Sequence, residues 1–145
     1  MRPTSITTFE RFYLGALVIG LINNVLNWSQ ATAVLNDPSV QAAGLGTGFL
    51  VSTMVIGLAI PLLLWYFITR RASNIAKWIL VVLFGFGLIG VLMSFSAMMA
   101  MGTLPMVLGL IALALQAYAV FMLFKPDAVA WLNAGGGGVD PNTFN

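Results

Sequence analysis

Neither cysteine nor histidine occurs anywhere in this chain, and charge is almost as scarce. Without thiolates or imidazoles there can be no disulfide, no c-type haem attachment, no His-ligated haem and none of the usual zinc or copper sites. Only 7% of the 145 residues are charged, against about 25% in a typical soluble domain. Ten charges cannot cover a folded domain with polar surface, so lipid must be the solvent for most of it. The four acids are Glu10, Asp37, Asp127 and Asp140. None lies deep in an apolar run, which removes the intramembrane carboxylates used in proton relays. No Ser–His pair or carboxylate pair is available for covalent or acid–base chemistry. The expectation is a non-catalytic protein without cofactor or metal. The net charge is only +2, and the basic residues sit in short stretches beside apolar runs, a pattern that excludes a nucleic-acid surface.

What the chain has in abundance is apolar length. Hydrophobic residues make up 60% of it, gathered in four runs, Phe9–Trp28, Gly46–Ile68, Trp78–Ala100 and Leu104–Phe124. Each is long enough to cross a ~30 Å hydrocarbon core at ~1.5 Å per residue. The fold class expected is all-α, an antiparallel four-helix transmembrane bundle. The first run is of full spanning length, longer than the apolar stretch of a signal peptide, so that helix should be retained.

Thr7 with Glu10 suggests a capping box. Asp37-Pro38 suggests an N-cap with a first-turn proline, and the second helix could start there. Ser73 or Asn74 can cap the third helix and Thr103 the fourth, while Pro61 should kink the second. The short turn Met101-Gly102-Thr103 makes the last two helices a tight hairpin.

All six basic residues, Arg2, Arg11, Arg70, Arg71, Lys77 and Lys125, fall on one side of this topology. By the positive-inside rule that side is the cytoplasm, and both termini lie there. Tyr13, Trp65, Tyr66, Trp78 and Phe124 would form an inner aromatic belt, with Trp28 as outer anchor. Arg70, Arg71, Lys77, Trp78 and Lys125 are the candidates to meet lipid headgroups.

Residues three or four apart share a helix face. Ala16, Gly20, Asn23 and Asn27 mark one such face in the first run. Gly44, Gly48, Ser52 and Ala59 mark the second. Gly87, Gly90, Ser94 and Ala97 mark the third, and Gly102, Pro105, Gly109, Ala112, Gln116 and Ala119 the fourth. In lipid, small residues let backbones approach, and amides and hydroxyls bond across the gap. The faces predict a closely packed interior with no wide pore.

Three patterns suggest chemistry, each beside a plainer explanation. Gly85-Phe-Gly87-Leu-Ile-Gly90 matches a dinucleotide fingerprint, but that motif needs a strand and a helix N-terminus, and here it lies inside an apolar run. Helix packing explains it. Asn23, Asn24, Asn27 and Gln116, near Ser52, Thr53, Ser94 and Ser96, could form a small polar site. An interhelical hydrogen-bond network is the favoured account. Met93, Met98, Met99, Met101 and Met106 could hold Cu(I), yet methionine is also a common filler of irregular cores.

After Lys125, the segment 126–134 has the pattern of a short interfacial helix anchored by Trp131 and Leu132. The glycine run Gly135–Gly138 and the segment Val139–Asn145 should be a flexible tail, with Val139, Pro141 and Phe144 as its anchors on a partner. The stretches Ser5-Ile6-Thr7-Thr8-Phe9-Glu10-Arg11-Phe12-Tyr13-Leu14 and Arg70-Arg71-Ala72-Ser73-Asn74-Ile75-Ala76-Lys77-Trp78 resemble small four-helix inner-membrane proteins of proteobacteria. That resemblance implies the same topology for the four helices and brings no activity or functional residue with it. The function expected is an accessory or scaffold subunit of a larger inner-membrane complex, bound to lipids and other membrane subunits. A small carrier or channel acting as a homo-oligomer is the alternative, and a regulator acting through the cytoplasmic loop is a third.

Overall fold

The computed structural model describes residues 2–100 and 102–136. The chain is an all-α, multi-pass membrane protein. Among the described residues four helices are long and apolar enough to cross a bilayer: α1 (Thr4–Leu26), α4 (Thr47–Arg71), α5 (Asn74–Met93) and α7 (Thr103–Met122). Shorter helices link or follow them: α2 (Trp28–Ala33), a 3-10 turn (Val34–Asn36), α3 (Pro38–Ala42), α6 (Phe95–Ala100) and α8 (Pro126–Asn133). The long helices alternate in direction. The start of α1, the end of α4, the start of α5 and the end of α7 meet at one end, which carries the basic residues.

Local chemistry sets most boundaries, with some departures from expectation. Asp37 accepts a hydrogen bond from the Ser39 amide and Pro38 opens the helix, but α3 stops at Ala42. Gly44 then takes a left-handed conformation (φ 70°), so α4 is a separate helix that starts at Thr47. The Ser73 hydroxyl caps α5 by accepting from the Ala76 amide at 3.2 Å. Before it, Ala72 adopts φ 47° to end α4. The Thr7–Glu10 capping box does not form. α1 begins earlier, with Pro3 at its N-cap; Thr7 donates back to the Pro3 carbonyl, and Glu10 pairs with Arg2 at 2.9 Å. Thr103 is the first helical residue of α7 rather than its cap, a place taken by Gly102 at φ 106°. The third apolar run breaks at Ser94 into α5 and α6, and α4 runs through Pro61 without interruption. The glycine fingerprint lies wholly inside α5.

The packed core sits at the basic end. Ile6, Phe9 and Tyr13 of α1 meet Leu64 and Ile68 of α4, Ala76 and Leu80 of α5, and Ala119, Val120 and Leu123 at the end of α7. The Phe9 and Tyr13 rings stack with centroids 5.1 Å apart. Tyr13 is fully buried and its hydroxyl donates to the Pro61 carbonyl at 3.3 Å. It therefore belongs to this core and not to an aromatic belt at the membrane surface.

The segment after Lys125 does form a helix, and its apolar side faces the protein. Ala128, Trp131 and Leu132 of α8 are buried in the same core, so α8 closes the basic end like a plug. Asp127 holds it there. Its carboxylate accepts from the Ser5 hydroxyl at 2.8 Å and the Ser5 amide at 3.2 Å, meeting the unpaired N–H groups and positive dipole at the start of α1. Desolvation works to raise the Asp127 carboxyl, but these bonds and those from the Ala128 and Asp127 amides outweigh it and hold it below the usual carboxylate range. Asn74 adds a 3.4 Å donation to Asn133.

Two glycines expected in the flexible tail instead terminate α8. Gly136 donates to the Trp131 carbonyl at 3.0 Å and Gly135 to the Leu132 carbonyl at 3.2 Å. Gly135 and Gly136 both have positive φ, 61° and 82° respectively, and with the paired bonds this makes the left-handed turn of a Schellman cap. A Cβ on Gly136 would come within 3.2 Å of the Ala72 methyl. The remainder of the tail, with Val139, Pro141 and Phe144, lies outside the described residues.

Candidate functional site

Above the basic-end core the two halves of the molecule part company. α1 and α7 run side by side to the far end, where Asn23 donates to the Pro105 carbonyl at 3.2 Å. Asn27 donates to both the backbone and side-chain oxygens of Asn23, at 2.7 and 2.8 Å. The Phe12 and Tyr118 rings meet edge to face, 4.7 Å apart. The α4–α5 hairpin joins this pair mainly through the core below.

The small-residue faces of α4 and α5 are consequently not where the helices meet, whereas those of α1 and α7 do meet: Asn23 reaches Pro105, and Ala16 and Ala119 are buried. Gly48, Ser52, Gly87, Gly90 and Ser94 are exposed. A Cβ added at Gly20, Gly48, Gly87 or Gly90 would find nothing within 4 Å. For Gly48, Ser52, Gly87, Gly90 and Ser94 the expectation of close helix contact is corrected: α4 and α5 are packed by larger side chains, Leu64, Ile68 and Leu80 against Phe9 and Tyr13, at the basic end. Gly109 is half-buried and lines a cavity. The closely packed interior gives way to a cleft.

That cleft holds two cavities. The larger, about 530 Å³, lies among α1, α4 and α7 and is lined by Leu17, Gly20, Asn24, Thr53, Gly57 and Gln116 among others. The second, about 330 Å³, lies towards α5 and reaches Tyr13, Leu80, Gly87 and Gly109. Pro61, Ala112 and Gln116 border both. A third space of about 220 Å³ at the far end is walled by Asn23, Asn24, Asn27, Gln30 and Met106. Among the described residues no charged side chain lines any of them.

The polar residues singled out by sequence thus divide. Asn23 and Asn27 satisfy one another and the Pro105 carbonyl, tying α1 to α7. Asn24 and Gln116 face the cleft. Thr53 also borders it, though its hydroxyl returns to the Phe49 carbonyl at 2.9 Å. Met93 and Met99 are exposed, Met106 lines the small cavity, and Met101 lies outside the described residues. Among the described residues no group of three His, Cys, Asp or Glu converges.

At the basic end, Arg70, Arg71 and Lys125 are exposed. Lys77 is not: only 4% of it is accessible, and its ammonium sits 5.3 Å from the Trp78 ring and 5.1 Å from the Phe124 ring. Those two rings contact each other edge to face. Lys77 is therefore a packing residue with a cation–π partner on α5 and another at the end of α7, and not a free headgroup ligand. Nothing in its spacing distinguishes it from Arg70 and Arg71; only the fold brings Phe124 to it.

No family model matches this chain, and neither a curated protein nor a solved structure matches it. The architecture defines a class, the all-α multi-pass membrane protein.

Proposed function

We propose that this protein is a non-catalytic accessory or scaffold subunit of a larger inner-membrane assembly, with its basic end and both termini in the cytoplasm. One observation carries the reading: among the described residues nothing covers the glycine and serine faces at Gly48–Ser52 and Gly87–Ser94. Helices in lipid associate through close backbone approach at such residues, so a second protein's helices can complete what this chain leaves open. The grouping of all six basic residues at one end supports the orientation, and the absence of Cys and His supports the non-catalytic role. The resemblance of Ser5–Leu14 and Arg70–Trp78 to small proteobacterial inner-membrane proteins supports the location.

Extraction in mild detergent followed by native-gel electrophoresis tests this. A large hetero-complex is expected, and Gly48→Leu or Gly87→Leu should release the chain from it. Truncation after Gly136, which keeps the α8 cap, should leave the chain inserted but weaken its hold on the assembly through Val139, Pro141 and Phe144. A chain that runs alone and monomeric in every mild detergent refutes the proposal. The cleft favours a second reading, a small homo-oligomeric carrier, for which the same gel would show a ladder of self-multiples.

A further inference from the structure

The cleft between the α1–α7 pair and α4 combines an apolar volume with two polar groups the fold leaves unused. Gln116 lies on its wall near the middle of α7, and among the described residues no hydrogen bond reaches its amide. On the opposite wall, Gly57 and Pro61 lie one turn apart on the same face of α4 and both line the cavity. Proline has no N–H, so the Gly57 carbonyl lacks the donor that every ordinary helical carbonyl receives from four residues on. A Cβ built on Gly57 would meet nothing within 4 Å, so the helix surface beside this carbonyl is open.

The two groups are at similar depth. Pairing of Phe12 with Tyr118 and of Asn23 with Pro105 fixes the α1–α7 register, which puts Gln116 level with Tyr13. The Tyr13 hydroxyl reaches Pro61, so Pro61 stands near that level too. A long helical side chain leans towards its own N-terminus, which carries the Gln116 amide up towards Gly57. The helical carbonyl of Gly57 points down towards Pro61. Below them Tyr13, Leu64 and the basic-end core close the cleft. Above them Leu17, Leu21, Leu50, Met54 and Leu58 line an apolar path that ends near Asn24 and Trp28. Asn24 lies about eleven residues above Gln116 in this register, roughly 16 Å along the axis.

We propose that this cavity binds a neutral single-chain amphiphile, a long-chain alcohol dissolved in the bilayer, head inward. Its hydroxyl donates to the Gly57 carbonyl and accepts from the Gln116 amide, while its chain lies along the leucines towards Asn24. The volume of about 530 Å³ falls in the range of ~300–1,000 Å³ usual for small-molecule sites. A charged head is disfavoured because, among the described residues, no charged side chain lines the cavity to offset its desolvation. A pure hydrocarbon would leave both polar groups unpaired. The inference is independent of the subunit proposal, since it concerns an intrachain cavity.

The test is photolabelling of the full chain in mild detergent with a diazirine-bearing alkanol, mapped by mass spectrometry. Labels should concentrate in residues 17–24, 53–61 and 112–116. Competition should follow the order 1-dodecanol or farnesol above dodecane and dodecanoate, with the two alcohols distinguishing a straight from an isoprenoid chain. Gln116→Leu keeps an apolar wall and removes one hydrogen bond, so the alcohol should compete about threefold less well or worse. Gly57→Leu should fill the space and abolish labelling; if that variant fails to fold, Gln116→Leu still decides the matter. Uniform labelling around all four helices overturns the proposal, as does dodecane competing as well as dodecanol, or a Gln116→Leu protein that behaves as the wild type.

Discussion

Gly87→Leu and Ala119→Leu should have opposite effects, and the contrast tests where this bundle is held together. Both replace a small residue in a transmembrane helix. Ala119 is fully buried among side chains of the basic-end core, so the added atoms must displace neighbours. Overpacking of this kind costs about 1–3 kcal/mol. At Gly87 nothing lies within 4 Å of the added Cβ, so no clash arises. Leucine is the better helix former by up to about 1 kcal/mol, and the net change should run from zero to a small gain. Reversible unfolding of the purified chain by SDS titration, followed by helical circular dichroism, gives both values. Tryptophan fluorescence should report the same transition, because Trp131 is buried and Trp65 packs against the core. The reasoning fails if Gly87→Leu destabilises the isolated chain as much as Ala119→Leu does. That result would mean the glycine faces already pack inside the chain, leaving nothing for a partner to cover.

Gly136→Ala should destabilise the chain by about 1–2 kcal/mol, because it forces a side chain into the left-handed region and within 3.2 Å of the Ala72 methyl; the same SDS titration reads it. Asp127→Asn should loosen α8 by about 0.3–1 kcal/mol, the worth of a carboxylate at a helix N-terminus, at the low end because the side chain is exposed. Its carboxyl is held below the usual range, so the wild-type contribution is present above about pH 4 and lost as pH falls through the lowered value. A melting curve as steep in pH for the variant as for the wild type would contradict this. Asn23→Ala breaks the donation to Pro105 and should cost about 0.6 kcal/mol, up to ~2, with extra proton exchange expected at the far ends of α1 and α7. Because the chain has no cysteine, single introduced cysteines report topology cleanly: Arg71→Cys should react from the cytoplasm and Asp37→Cys only from the other side.

Much of the architecture was legible in the residues. Apolar run length revealed four spans, and Asp37 and Ser73 were found as caps because N-cap chemistry is local. The Thr7–Glu10 box and the Thr103 cap were misplaced for the converse reason. Pro3 and Gly102 supply competing starts, which puts Thr7 inside the first turns of α1, where it bonds back to the Pro3 carbonyl, and Thr103 at the first position of α7. Asn23 and Asn27 were found as a network because amides at membrane depth need partners. Gln116 carries the same signal but lines the cleft instead of joining that network, since sequence spacing gives a helix face and not which face opposes it.

Composition alone determined the solvent. With so few charges and four runs of spanning length, the backbone must satisfy its own hydrogen bonds as helices in lipid, whatever the packing. The alternation of the helices and the gathering of the basic residues at one end follow from the same pattern. Only the tertiary structure decided how the helices meet. Small residues permit a close approach but do not compel it, and in lipid no hydrophobic force closes the gap. The large side chains around Phe9 and Tyr13, and the return of α8 through Asp127 and Ser5, draw the basic end together. The glycine faces at the far half remain open, and between them the cleft with Gln116 and the Gly57 carbonyl appears because close packing stops at Pro61.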